Sequence, residues 1–195
     1  MGIEFELKYR ATPGMLEKLR EEFSQDSRSI AMETTYYDTP EGALSALRYT
    51  LRRRTENGIS VCTLKTPADG PGRQEYEVLS TTIEDALERL GNQSGIDLLS
   101  LTEDGLVPVC GARFSRVAKD ITFSNTTVEL AMDKGVLIGG DREVPLHEVE
   151  VELKSGSRET AKLYAAQLAL RYNLVPEAAS KFRRALELAR GEQDV

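Results

Sequence analysis

The sequence predicts an α+β fold in which about eight antiparallel strands form a barrel-like sheet with helices at its edges. Three observations carry that prediction. Ile3–Tyr9 and Glu148–Lys154 alternate apolar residues with ionised ones at the two-residue period of a strand. Asn57-Gly58, between two strand-like runs, is a strong hairpin signal. Helical periodicity is confined to a few segments, the clearest at the far end of the chain.

In chain order, residues 3–11 read as a strand. Thr12-Pro13 then supplies an N-cap with proline at the first helical position, and Leu16, Leu19 and Phe23 form that helix's apolar stripe. Residues 30–39 are rich in Thr and Tyr and end at Pro40, a strand running into a turn. Strands at 47–56 and 59–66 flank the hairpin; a Gly/Pro-rich loop covers 67–72, and 73–79 is another strand. Thr81 with Glu84 makes a capping box for a short helix buried through Ile83, Ala86, Leu87 and Leu90 and ended by Gly91. Residues 92–106 read as an irregular connection with room for one more helical turn. Strands follow at about 110–124, 126–134 and 143–154, with turns at Ser124-Asn125 and Gly139-Gly140. Ala161, Tyr164, Ala165 and Leu168 mark one closing helix, and Phe182, Ala185, Leu186 and Ala189 another. Residues 1–190 are expected to be a single domain, and 191–195 a frayed acidic tail.

Composition narrows the chemistry. The chain has 195 residues, 40% hydrophobic and 29% charged, enough to bury a core. A net charge of −7 argues against general nucleic-acid binding, though not against a small anion. Cys62 and Cys110 have no CxxC spacing and read as free buried thiols. With His147 as the one histidine, a histidine triad or multi-histidine metal site is excluded. No GxxxxGK[ST] or GxGxxG sequence occurs. No apolar run approaches the roughly 18–20 residues of a membrane span, and an acidic strand stands where a signal peptide would begin. A cytoplasmic location is expected. Any catalysis falls to carboxylates, lysines and arginines.

Those groups cluster on strand faces. Glu4, Glu6 and Lys8 share one face, as do Glu148, Glu150, Glu152 and Lys154. Arg52 with Arg54, Thr63 with Lys65, Arg73 with Glu75 and Glu77, and Glu129 with Asp133 repeat the pattern. Arg113 and Arg116, three apart, point oppositely on a regular strand. One charged face alone belongs in water. The set together is too purely ionic for that, and is better served by an enclosed lumen where acids and bases compensate. Clustered carboxylates call for divalent cations and clustered Arg/Lys for a polyanion; a polyphosphate with Mg²⁺ or Mn²⁺ satisfies both.

The ordered set of segments resembles the CYTH, or triphosphate tunnel metalloenzyme, superfamily. Glu4-x-Glu6-x-Lys8 is similar to its ExExK signature. Tyr36–Pro40, Leu51–Arg54, Thr63–Lys65, Arg73–Glu77, Glu129–Gly135, Glu148–Gly156 and Ser180-Lys181 resemble further family segments in the same order. Roughly residues 1–185 are covered, most similarly to the CYTH domain of bacterial inorganic triphosphatases.

The resemblance implies a closed eight-stranded tunnel and a metal-dependent hydrolase that splits tripolyphosphate into pyrophosphate and phosphate. It implies substrate contacts from Lys8, Arg52, Arg54, Lys65, Arg113, Arg116 and Lys181. Metal ligands would be Glu4, Glu6, Glu150 and Glu152, with Glu129, Asp133 and Glu148 as second choices, holding two Mg²⁺ or Mn²⁺ ions. Glu4, Glu6, Lys8 and Lys65 would be catalytic, with Glu75 and Glu77 in support. The implied partner is a small polyanionic triphosphate, without nucleic acid or membrane, for a monomer or homodimer. Thiamine or nucleoside triphosphate hydrolysis, a class IV-type adenylate cyclase and a non-catalytic polyphosphate or nucleotide binder remain alternatives.

Overall fold

The computed structural model describes residues 3–70 and 72–192. Its elements run β1 (Ile3–Glu4), β2 (Glu6–Arg10), α1 (Pro13–Glu22), β3 (Arg28–Asp38), α2 (Ala43–Ala46), β4 (Thr50–Glu56), β5 (Ile59–Pro67) and β6 (Arg73–Leu79). They continue with α3 (Glu84–Ser94), α4 (Leu98–Leu101), β7 (Val107–Phe123), β8 (Thr126–Gly139), β9 (Arg142–Ser155), α5 (Arg158–Tyr172), β10 (Val175–Pro176) and α6 (Lys181–Arg190). The fold is α+β, built on one large antiparallel sheet.

The strand order is β1-β6-β5-β4-β3-β7-β8-β9-β2-β10. The sheet therefore has ten described strands rather than eight, and its hydrogen bonding has two ends instead of closing into a barrel. The extra strands are two-residue pieces. One arises because the N-terminal strand changes partner at Phe5: Ile3-Glu4 pairs with β6, and Glu6–Arg10 pairs with β9. A single residue thus joins the two margins of the sheet.

Strand alternation sorts the side chains as the sequence predicts. On β9, Val149 and Val151 are buried under helices while Glu148, Glu150 and Glu152 take the opposite face. Helices α1 and α5 cover the apolar face of β2, β8 and β9, through Leu16, Leu19, Ala165 and Leu168. Helix α3 covers β4–β6 through Ala86, Leu87 and Leu90. Helix α6 does something different. Its Ala185 packs with Ala112, Phe114, Leu137 and Leu146, which share strand faces with Arg116, Asp133 and Glu148. It therefore lies over one end of the charged face. The approach is close at Gly139, where a Cβ would stand 2.4 Å from Ala189 N and 2.6 Å from Ala185 O.

Several local expectations shift. Asn57 and Gly58 take positive φ (48° and 88°), the backbone of the predicted tight hairpin. In place of the expected Thr81–Glu84 capping box, Thr82 Oγ1 accepts from Asp85 N at 3.3 Å and donates to Asp85 Oδ2 at 2.6 Å. Helix α3 also runs past Gly91 to a left-handed cap at Gly95. Gly91 is a contact glycine, since a Cβ would lie 2.8 Å from Ile96 O. In the tail, Gly191 caps α6 and Glu192 N donates to Glu187 O at 2.9 Å, so its first two residues are tied down. Residues 193–195 lie outside the described residues. Cys62 and Cys110 are free and buried, and burial pushes their thiols up to about 11 and about 12.

Candidate active site

The charged faces of the strands converge on one cavity of about 720 Å³. β2 contributes Glu6 and Lys8; β4 contributes Arg52 and Arg54; β5 contributes Lys65. Glu75 and Glu77 come from β6, Arg116 from β7, Glu129 from β8, and Glu150, Glu152 and Lys154 from β9. Ser180, Lys181 and Phe182 enter from the start of α6. Residues from both ends of the sequence meet here because β2 pairs with β9, placing Lys8 opposite Glu150 and Glu6 opposite Glu152.

One wall is basic. Arg52 NH2 donates to Glu75 Oε1 at 3.2 Å, and Lys65 Nζ stands 3.3 Å from the same oxygen. Thr63 Oγ1 donates to Glu77 Oε1 at 3.0 Å. Glu75 and Glu77 thus act as holders of the basic wall. Arg54 donates to Thr34 Oγ1 at 3.2 Å and to Glu56 Oε1 at 3.5 Å. Burial, and then the neighbouring Arg52 charge, lower its basicity, so the local field favours an incoming anion.

The facing wall is acidic and has two levels. In the shallower one, the register sets Glu6 opposite Glu152 and Glu152 opposite Glu129, a transverse row of carboxylates on β2, β9 and β8. Like charges directly opposite repel unless a cation intervenes. Lys8 stands 3.3 Å from Glu6, Lys154 2.8 Å from Glu152 and 3.9 Å from Glu129, and Arg28 2.7 Å from Glu129. In the deeper level, one oxygen each of Asp133, Glu148 and Glu150 lie within 4.8 Å of one another. Lys181 Nζ is 2.9 Å from Asp133 Oδ2 and 2.7 Å from Glu150 Oε1, and donates to Glu148 Oε1. Arg116 grips Asp133 with two 2.7 Å hydrogen bonds and donates to Glu150 Oε2.

Burial and these charges push the deep carboxylates apart. Burial raises Glu148 to about 7 against the opposing pull of Lys181. Burial would raise Glu150 as well, but Lys181 and Arg116 outweigh it and hold it well below the usual carboxylate range. Burial disfavours the Lys181 ammonium, and Asp133, Glu150 and Glu148 more than restore it. The donors on both levels are carboxylate oxygens, which suit a hard divalent cation.

Arg113 departs from expectation. It stands off the cavity, paired with Glu143 at 3.1 Å, with its side chain 58% exposed. Arg113 and Arg116 are three apart on an unbroken stretch of the β7–β8 ladder, so they take opposite faces. Glu4 pairs by its backbone with Arg73, and its side chain lies outside the described residues. His147 is half-buried, its carbonyl accepting from Ala11 N at 3.0 Å. Tyr36 is wall and core, its ring 5.1 Å from that of Phe182. Asp38 is structural: its carboxylate accepts from Thr39, Leu44 and Ser45 N at 2.8–3.0 Å and caps α2.

Two functional neighbours were not read from the sequence. Arg184 NH2 is 3.0 Å from Glu148 Oε2, and its NH1 donates to Glu177 Oε2 at 3.2 Å. Glu177 Oε1 accepts from Ala179 N at 2.8 Å, and its Oε2 lies 3.4 Å from Arg10 Nε. The available signal was the i,i+3 spacing of Lys181 and Arg184, which puts both on one helix face.

Comparison with known proteins agrees with this geometry. The chain is 27% identical over 190 residues to the inorganic triphosphatase of Haemophilus influenzae. The match takes in 93% of this chain and 53% of that protein, so the chain spans about half its relative's length. Among solved structures, the fold is shared with the Hippeastrum protein HpAC1, an adenylyl cyclase candidate described as having a dominant triphosphatase activity (TM-score 0.71, 20% identity, 99% of this chain and 98% of that one). It is also shared with the PH1819 protein of Pyrococcus horikoshii (TM-score 0.61, 22% identity, 95% and 99%). The family model for the CYTH domain matches residues 2–186. The chain belongs to the CYTH domain family.

Proposed function

We propose that this chain is a divalent-metal-dependent triphosphatase that hydrolyses inorganic triphosphate to pyrophosphate and phosphate within a tunnel formed by the curled sheet. The observation that carries this reading is the convergence on one cavity of Arg52, Arg54 and Lys65 from the basic wall and of Lys8, set among the carboxylates of β2 and β9. Arginine suits bidentate contact with phosphate oxygens, and lysine adds a point charge. Arg54, whose charge is disfavoured by burial and by Arg52, gains most from a bound polyanion.

In this mechanism the basic wall binds the triphosphate and orients it for in-line attack. Glu75 keeps Arg52 and Lys65 in place through its shared oxygen. Helix α6 shields one end of the cavity from water. Glu6, Glu150 and Glu152 would hold Mg²⁺ or Mn²⁺, which would supply charge neutralisation on phosphate and a more acidic water. Water's oxygen bonds to the terminal phosphorus, the bridging P–O bond breaks, pyrophosphate leaves with the bridging oxygen, and the proton that water gives up passes to solvent. Among the described residues no helix is long and apolar enough to cross a membrane, and we place the enzyme in the cytoplasm as a monomer or homodimer.

The test is a panel of tripolyphosphate, pyrophosphate, ATP and thiamine triphosphate, each with Mg²⁺ or Mn²⁺ and scored for products. One phosphate and one pyrophosphate per tripolyphosphate, abolished by EDTA, is the expected result. Cyclic AMP with pyrophosphate from ATP would make it a cyclase. Preferential turnover of ATP to ADP, or of thiamine triphosphate, would make it a nucleoside or thiamine triphosphatase. Tight tripolyphosphate binding without turnover would make it a binder.

A further inference from the structure

Among the described residues that line the cavity, Lys181 is the one charged group supplied by a helix. Its place therefore depends on what fixes α6 to the sheet. Residues 173–180 make that connection. Asn173 ends α5 in a left-handed conformation (φ 50°), and Leu174 N donates to Ala169 O at 2.9 Å. Val175 and Pro176 then lie along the edge of β2, opposite Arg10 and Tyr9. Glu177 N donates to Lys8 O at 2.8 Å. Ser180 Oγ accepts from Arg183 N at 3.1 Å and starts α6.

Glu177 is the junction of this strap, its side chain only 12% exposed. Its Oε1 accepts from Ala179 N at 2.8 Å and closes the turn before α6. Its Oε2 accepts from Arg184 NH1 at 3.2 Å and lies 3.4 Å from Arg10 Nε. Burial would raise this carboxyl, but the Ala179 hydrogen bond, Arg184 and Arg10 outweigh it and hold it below the usual carboxylate range. Arg184 carries the link onward. Its NH2 stands 3.0 Å from Glu148 Oε2, a buried oxygen that accepts no hydrogen bond, so Arg184 is the countercharge on that side of Glu148. The other oxygen of Glu148 accepts from Lys181 Nζ. Arg10, Glu177, Arg184, Glu148 and Lys181 thus form a chain of alternating sign from β2 to the ammonium. The chain closes on one rung of the sheet, since Glu148 stands opposite Arg10 in the β2–β9 ladder.

We infer that Glu177 and Arg184 are positioning residues for Lys181, setting the depth at which its ammonium stands between Asp133 and Glu150. The role needs an arginine at 184, because one prong meets Glu177 and another Glu148, and a lysine can serve only one of them. The inference rests on the proposed hydrolysis for its rate measurement alone. The basic wall of Arg52, Arg54 and Lys65 is carried by β4 and β5, outside the chain of charges, so substrate affinity is left in place when the chain is cut.

Pulse acetylation of the whole folded chain with acetic anhydride, read lysine by lysine by mass spectrometry, tests the position of Lys181 without turnover. In wild type Lys181 is expected to be protected relative to the exposed Lys134. Glu177→Ala and Arg184→Met are each expected to raise its labelling about tenfold or more. Glu177→Gln, which keeps an acceptor for Ala179 N, should fall between wild type and Glu177→Ala, and Arg184→Lys between wild type and Arg184→Met. Leu98→Ala, in the core beneath α3, is the control: it should lower the melting temperature and leave Lys181 protected. With tripolyphosphate, Glu177→Ala should lose about tenfold or more in kcat while KM stays within about threefold. Should the labelling follow this order while wild type splits no tripolyphosphate, the positioning assignment stands and the proposed hydrolysis falls. The inference is overturned if Glu177→Ala leaves Lys181 protected, if Leu98→Ala exposes it equally, if Arg184→Lys protects no better than Arg184→Met, or if an active wild type keeps its kcat in Glu177→Ala.

Discussion

Arg116 and Asp133 form a two-pronged ion pair across β7 and β8, Nε to Oδ1 and NH2 to Oδ2 both at 2.7 Å, with the carboxylate 0% exposed. Fork-on-fork geometry of this kind is where an arginine cannot be replaced by a lysine. Arg116→Met leaves a buried carboxylate short of a partner and is expected to cost on the order of 3 kcal/mol. Arg116→Lys should recover less than half of that. Urea unfolding of the three proteins checks both.

Arg54 should show the opposite balance. Its charge is disfavoured by burial and by Arg52. Arg54→Met is therefore expected to leave the melting temperature unchanged or raise it by a few degrees, while weakening tripolyphosphate binding about tenfold or more. Thermal melts and calorimetric titration separate the two effects.

Gly139 is the contact point for α6. Gly139→Ala puts a methyl group 2.4 Å from Ala189 N, and backbone on both sides cannot give way locally. The expected cost is about 1–3 kcal/mol. Limited proteolysis should cut earliest within residues 177–190, because α6 is the element displaced.

Glu148 gives a pH signature. Its carboxyl is raised from 4.5 to about 7 by burial, so the folded state holds its proton more tightly than the unfolded state. Its contribution is present in full below pH 4.5 and is lost as pH rises towards about 7. Glu148→Gln lacks this loss. Its melting temperature relative to wild type should climb across that window, a trend that melts at half-unit pH steps would reveal.

The alternation of ionised and apolar residues was enough to predict which face of β2, β4, β8 and β9 carries charge, because a two-residue period follows from strand geometry alone. It could not tell Glu150 from Glu152. They lie on one face, each between two aliphatic residues, and what divides them is the depth to which α6 brings Lys181. That is a tertiary fact. Arg113 was misplaced by reading a segment as a unit, although its three-residue offset from Arg116 already put it on the other face. β8 runs five residues beyond its expected end at 134, right up to the turn expected at Gly139-Gly140. Gly135 is there for contact, since a Cβ would lie 2.1 Å from Arg113 O. The ion pair Arg10–Glu177 joins residues far apart in sequence, and beyond the Lys181–Arg184 spacing no local pattern pointed to the chain Arg10–Glu177–Arg184.

The partner change at Phe5 means that residues 3–10 act as a zip fastener between the two margins of the sheet. Trimming them would strip Glu6 and Lys8 and also let the margins of the sheet spring apart, scattering groups on β4 and β9 that the cut never touched. A shortened chain should therefore fail as a whole rather than lose two side chains' worth of affinity.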